Sequence, residues 1–295
     1  MAAMSDRSHL RVFLNGPESD EEIVAGLIAN ARSAMADMRG ASQADLDEAV
    51  TALAWSHCRP GAAEELAEIA VRDTRLGNVP DKIAKVRRKT FGALRDLLRV
   101  KSTGVIEEIP EKGLVKYAKP VGVVAALCPS TNPASTAVNK AMMAVKGGNA
   151  IVIAPSPLGW TTTARSVDMM RDELARIGRP VDLVQVVAQP VGKHATQVLM
   201  ESCDLVVVTG SMDNVRRAHE SGRPAIGVGV GNVPVIVDSS AEPAAAARKI
   251  AASKTFDNAT SCSSENALIV LDDVYDIVLA ELAVQGGYLV DDEGK

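Results

Sequence analysis

The chain has 295 residues, 47% of them hydrophobic and only 3% aromatic, with a formal net charge of −5. That length suits one large or two ordinary domains, and a core so poor in aromatic residues has to be built from Ala, Val, Leu and Ile. The acidic balance argues against a nucleic-acid surface, and no apolar run is long enough to span a membrane. Four widely spaced cysteines, Cys58, Cys128, Cys203 and Cys262, make no CxxC pair, and four His are too few for a zinc site. Free thiols in a reducing cytoplasm are the expectation.

Residues 1–19 include an apolar stretch too short for a signal peptide and are expected to be a flexible lead-in. From 20 to 38, Ile23, Val24, Leu27, Ile28 and Ala31 recur at helical spacing. A second helical region, 43–71, is interrupted at Arg59-Pro60-Gly61, and a third covers 81–99. The third carries Lys82, Lys85, Arg87, Arg88 and Lys89, read as a solvated outer face, with a docking surface for a phosphate-bearing ligand as the minority reading. Residues 104–119 hold two short β-type runs around a Pro/Gly turn, predicting a projecting hairpin.

From Val121 the pattern becomes strand–helix alternation. Apolar runs at 121–127, 150–154, 183–187, 205–208, 225–228 and 233–237 predict strands. The segments between them predict helices at 133–146, 161–177, 193–200, 211–219 and 242–259. Apolar strands alternating with amphipathic helices predict an α/β fold with a doubly wound, mostly parallel sheet, which binds ligands beyond the carboxyl ends of its strands.

Cys262 sits in KTFDNATSCSSENALIV among Ala259, Thr260, Ser261, Ser263 and Ser264, where short side chains leave sulfur accessible. The apolar run after it, 267–270, predicts a buried strand. A packed, inert cysteine is the competing reading. Thr209-Gly210-Ser211, at a strand-to-helix junction, suits a phosphate-sized anion or a simple helix cap by Ser211. Asn132, opening a helix before Pro133, offers an amide to an oxyanion or serves only the turn. Gly227, Gly229 and Gly231 in IGVGVGN suit close approach to a flat ligand, or a bend between strands. Cys58, Cys128 and Cys203 are read as structural, and His194 and His219 lack an obvious carboxylate partner.

Three segments in register, VGVVAALCPSTNPASTAVNKAMMAVKGGNAIVIAPSP, VVVTGSMDNVRRAHESGRPAIGVGVGNVPVIVD and SKTFDNATSCSSEN, resemble the aldehyde dehydrogenase superfamily and its coenzyme-A-acylating branch. FDNATSCSSEN and APSPLGW are most similar to members of that branch acting on a sulfonated aldehyde. The resemblance implies Cys262 as nucleophile and Asn132 as oxyanion donor. It implies that Thr209, Gly210 and Ser211 lie at a cofactor pyrophosphate, Gly229 at its nicotinamide end, and Ala154, Pro155 and Ser156 at its adenine ribose. Hydrolytic relatives carry a Glu base where this chain has Val228, so coenzyme A is the implied acyl acceptor. Ala154 and Pro157 stand where NAD-preferring relatives have Lys and Glu, which inclines the cofactor to NADP over NAD.

The resemblance also implies a Rossmann-like dinucleotide-binding domain over 20–240, including an oligomerisation-type hairpin at 104–119. A catalytic domain is expected to begin at 241 and be incomplete at 295. The expected partners are a small aldehyde, coenzyme A and further copies of the chain. Two alternatives stay open: a hydrolytic enzyme giving the free acid, and an inactive fragment that only binds dinucleotide.

Overall fold

The computed structural model describes residues 19–290. Residues 1–18 of the expected lead-in lie outside the described residues. Ser19 is ordered as a helix cap: its hydroxyl accepts from the Glu22 amide while the Glu22 carboxylate accepts from the Ser19 amide, which starts α1 (Asp20–Asp37). Ser42 and Asp45 make the same reciprocal cap on α2 (Gln43–Cys58). The Asp45 carboxyl is held at about 2 by its hydrogen bonds to Ser42 and Arg179. Helix α3 (Ala62–Thr74) follows a turn in which Gly61 takes φ +83°. Helix α4 spans Val79–Leu98 and is capped by Asn78, with Pro80 in its first turn.

The predicted hairpin is present. Strands β1 (Gly104–Ile109) and β2 (Leu114–Ala118) pair antiparallel in a sheet of their own, around a turn where Gly113 has φ +61°.

The alternation that follows builds the main sheet. Its elements are β3 (Val123–Cys128), α5 (Pro133–Lys146), β4 (Ala150–Pro155), α6 (Trp160–Arg176), β5 (Val184–Val186), α7 (Lys193–Ser202), β6 (Leu205–Thr209), α8 (Met212–Glu220) and β7 (Ala225–Val228). The five strands run parallel in the order β5-β4-β3-β6-β7. Every residue of β3 and β4 is buried, which is why their sequences read as unbroken apolar runs. Helices α2, α5 and α6 pack together in one layer, and α1 packs with α7 and against β3, β4 and β5. The chain steps from β3 outward to β4 and β5, then returns to place β6 on the other side of β3. That reversal opens a crevice at the carboxyl ends of β3, β4 and β6.

Beyond β7, strand β8 (Val233–Val237) leaves the main sheet and pairs in parallel with β9 (Glu265–Val270). Helices α9 (Pro243–Thr255) and α10 (Tyr275–Val284) pack on each other, around a small core of Val237, Ile250 and Val278. Two expectations change here. The helix predicted to 259 ends at Thr255, because Asp257, Asn258 and Ala259 take φ of 53°, 52° and 59°, which no right-handed helix accommodates. The strand predicted as buried is half open: Leu268 and Ile269 are 39% and 53% exposed. An apolar run is buried only where its sheet is covered on both faces, and β8 is its one strand neighbour among the described residues.

Candidate active site

The crevice is a cleft of about 360 Å³. Two separately predicted segments line it, Ala154-Pro155-Ser156 from the end of β4 and Thr209-Gly210-Ser211 from the end of β6, together with Cys128 and Ser130 after β3. The parallel register sets Leu127 beside Ala154 and Val208, so the three strand ends open at one level. Ser156 is tied down by its amide, which donates to the Cys128 carbonyl at 2.9 Å. Its Oγ is buried without a partner, although it lies in the wall of the cleft. A buried hydroxyl left unpaired costs roughly 1–3 kcal/mol, a cost that a hydrogen-bonding ligand removes.

At the other segment both readings of the turn hold in part. The Ser211 hydroxyl caps α8 by accepting from the Asn214 amide at 3.3 Å, and the Gly210 amide donates to the Val228 carbonyl at 3.1 Å. The Gly210 amide is therefore committed, whereas the Ser211 hydroxyl only accepts in its cap and keeps its O–H to donate to an anion, alongside the first-turn amides of α8 and the cations Lys193 and Arg217 on the cleft wall. Beneath the cleft, the buried Lys140 ammonium donates to the carbonyls of Leu127 (2.6 Å) and Val207 (3.0 Å), tying β3 to β6. Burial pushes its pKa down. Sequence reasoning passed over it as one more helix lysine.

Gly229 stands next to this turn. A side chain there would meet Met212 Sδ at 2.2 Å, so the IGVGVGN segment lies against the start of α8. Two residues on, a Cβ at Gly231 would come within 2.5 Å of the Cys262 carbonyl oxygen and 3.6 Å of its Cβ. Gly231 is thus required by close approach to the backbone of Cys262, whereas the neighbour of Gly229 is the end of the Met212 side chain. The Cys262 side chain is exposed, unlike Cys128 and Cys203, which are buried, and Cys58, which is half-buried. Burial raises the Cys58 and Cys128 thiols to about 11 and Cys203 in the same direction, so all three are poor nucleophiles at neutral pH.

Asn132 occupies the N-cap position of α5 but makes no side-chain cap. Its Nδ2 donates to Thr131 Oγ1 at 3.4 Å, which leaves one N–H free, and its Oδ1 is buried without a partner. Among the described residues no hydrogen bond joins Asn132 to Cys262.

What links their loops is a buried polar cluster that sequence reading missed. Asp257 is fully buried and pairs with Lys82 (3.2 Å) and Lys85, both from α4. Its amide donates to Asp81 Oδ2 at 2.8 Å, and its Oδ1 accepts from the Asn78 amide at 3.1 Å. Thr260 Oγ1 donates to Asp257 Oδ2 at 2.6 Å, and Lys82 also donates to the Thr131 carbonyl at 3.1 Å. Burial alone would raise the Asp257 pKa, but hydrogen bonds from Lys85 and Thr260 and the charges of both lysines outweigh it and hold the carboxyl below its ordinary value. Breaking such a pair by removing one partner costs roughly 3–5 kcal/mol. Gly77 makes room for the carboxylate, since a Cβ there would fall 1.8 Å from Asp257 Oδ1.

The expectation of a solvated face for Lys82 and Lys85 is therefore corrected. They share the helix face of Val79, Ile83 and the buried Val86, and that spacing was the available signal. His194 also changes: it bonds Asp20 at 2.9 Å and lies 3.4 Å from Glu21, with its pKa raised chiefly by the Asp20 hydrogen bond.

Comparison with known proteins agrees with this architecture. The chain is 52% identical over 269 residues to the acylating sulfoacetaldehyde dehydrogenase of Cupriavidus necator, covering 91% of this chain and 55% of that protein. It superimposes on an acetylating aldehyde dehydrogenase from Geobacillus thermoglucosidasius with a TM-score of 0.87 at 37% identity, over 93% of this chain and 60% of that one. A propionaldehyde dehydrogenase from Rhodopseudomonas palustris, solved with bound CoA and an acylated cysteine, gives 0.80 at 27% identity, over 94% and 63%. The chain thus spans a little over half the length of the relatives it matches. The profile of the aldehyde dehydrogenase family matches residues 3–286, and with the parallel sheet, its switch-point cleft and the glycine-backed cysteine in place, the chain belongs to the aldehyde dehydrogenase family.

Proposed function

We propose that this chain carries the nucleophile and the dinucleotide cleft of an acylating aldehyde dehydrogenase, which converts an aldehyde and coenzyme A to an acyl-CoA. The observation that carries the reading is Cys262, an exposed thiol backed by Gly231 on a segment where Val228, and no acid, occupies the position of the hydrolytic base. The thiolate adds to the aldehyde carbonyl, and the free N–H of Asn132 Nδ2 with the Cys262 amide stabilises the oxyanion. When bound, NAD(P) supplies the hydride acceptor that leaves the acyl group at the thioester level. Ala154, Pro155 and Ser156 hold its ribose side, and the start of α8 after Thr209, Gly210 and Ser211 holds its phosphates. Gly229 flanks the nicotinamide end. The orphaned Ser156 Oγ favours a phosphorylated ribose, hence NADP over NAD.

Valine cannot take a proton from water, so the thioester on Cys262 persists until the coenzyme A thiol displaces it. Similarity to the Cupriavidus enzyme supports sulfoacetaldehyde as substrate and sulfoacetyl-CoA as product. On this reading the chain divides into a dinucleotide-binding domain over 20–240, with its hairpin, and a catalytic domain beginning at 241. Exposed Leu114, Val115 and Tyr117 on the hairpin support a homo-oligomer, and the free thiols a cytoplasmic setting. Among the described residues no helix is long and apolar enough to cross a membrane.

The test supplies the enzyme with sulfoacetaldehyde, oxidised cofactor and coenzyme A and identifies the product by mass spectrometry. Acyl-CoA is expected, with an acyl adduct on Cys262 when coenzyme A is withheld. Steady release of free acid without coenzyme A overturns the acylating assignment.

A further inference from the structure

The Asp257 cluster has no part in the chemistry above, yet it joins the two loops on which that chemistry depends. Five residues before Cys262, the chain passes through three successive non-glycine residues in the left-handed region, Asp257, Asn258 and Ala259. Such a run costs free energy and persists only where neighbouring groups enforce it. Here they do. Both Asp257 carboxylate oxygens, its amide and the Asn258 side chain are bonded to the start of α4, the last through the Gly77 carbonyl at 3.2 Å and Asn78 Nδ2 at 3.4 Å. The same Lys82 Nζ that bonds Asp257 also holds the Thr131 carbonyl, one residue before Asn132. One ammonium therefore sets the spacing between the nucleophile loop and the oxyanion loop.

We propose that Asp257, Lys82 and Lys85 form a positioning device that fixes Cys262 relative to Asn132. None of the three touches the aldehyde; they act through the two loops. This rests on the reading of Cys262 as nucleophile and Asn132 as oxyanion donor.

The test is a double-mutant cycle on the rate of Cys262 acylation by aldehyde and cofactor, run in the whole enzyme. Lys82→Met is expected to slow acylation 10- to 100-fold while cofactor affinity stays within twofold. Lys82→Arg, which keeps the donor, is expected to recover most of the rate. In the Asn132→Ala background the same Lys82→Met change is expected to cost less than threefold, because the amide it positions is gone. A purely structural lysine predicts equal losses in both backgrounds, and that result overturns the proposal, as does an unchanged rate in a folded Lys82→Met protein.

Alkylation of Cys262 by iodoacetamide gives a readout that needs no turnover. Lys82→Met is expected to change its rate at least fivefold while leaving Cys58 unaffected, and no change overturns the device. If wild type never acylates but alkylation still responds to Lys82, the nucleophile reading fails and the loop-setting role of Lys82 stands. Should Lys82→Met not fold, Thr260→Val, which removes the hydroxyl shared between the Asp257 carboxylate and carbonyl at the edge of the cluster, is measured in the same way against the same limits.

Discussion

The five-stranded sheet and the β8–β9 region hold their shape by different means. Strands β3 and β4 are buried at every position between two helical layers, and apolar contact alone accounts for them. The nucleophile loop between α9 and β9 has almost no apolar anchorage. It is held by one buried carboxylate, two lysines from a helix about 170 residues earlier and a glycine pressed against its backbone. Burial is non-directional and tolerates small shifts, whereas hydrogen bonds and close backbone contacts fix positions to within tenths of an ångström. The scaffold is built for stability and the loop for geometry, as a reacting thiol requires.

Four substitutions probe that contrast. The largest effect is expected in the sheet: Ile153, fully buried in β4, should lose about 2–5 kcal/mol of stability on change to Ala, read by urea denaturation. Its counterpart Ile269 in β9, 53% exposed, should lose no more than about 0.5 kcal/mol, and equal losses would erase the distinction.

Next, Gly231→Ala forces the Cys262 carbonyl away from a contact of 2.5 Å. A displacement near 1 Å at a reacting group costs roughly 100-fold in rate, so acylation should fall by about that factor with the melting temperature little changed. A rate within threefold of wild type would mean that the loop is not set by this contact.

At neutral pH the smallest effect concerns His57, buried between α2 and α6 with Ser56 Oγ at 2.7 Å and Ser166 Oγ at 2.5 Å. Burial first, and the Arg59 charge second, lower its pKa to about 3 from 6.5. Between those values the unfolded chain takes up a proton that the folded one refuses. Stability therefore falls as pH drops from about 6.5 to about 3, by up to roughly 1.4 kcal/mol per pH unit. His57→Gln should flatten that acid limb in pH-dependent melts, leaving the neutral-pH slope as it is.

Most of the main sheet was legible because its information is local. Apolar runs such as Ala150-Ile-Val-Ile-Ala154 and stops such as Gly147-Gly148 declare strand and helix ends without reference to anything distant. The order of segments then limits topology to a right-handed winding. The meeting of Ala154–Ser156 with Thr209–Ser211 followed from that winding, since both sit at strand carboxyl ends. The misreadings share one cause. Lys82 and Lys85, the end of α9, the exposed β9 and the His194 pair with Asp20 all turn on what a residue meets across more than 30 positions of sequence.

The sequence by itself determined the alternation of strands and helices, the cleft at their carboxyl ends and the one cysteine set among small residues. Tertiary structure alone decided that two lysines turn inward, that Asp257 joins the loops of Asn132 and Cys262, and that Gly231 backs the thiol. The physical reason is range: hydrophobic periodicity is written within a few turns of chain, but the partner of a buried charge is chosen only when distant segments fold against each other.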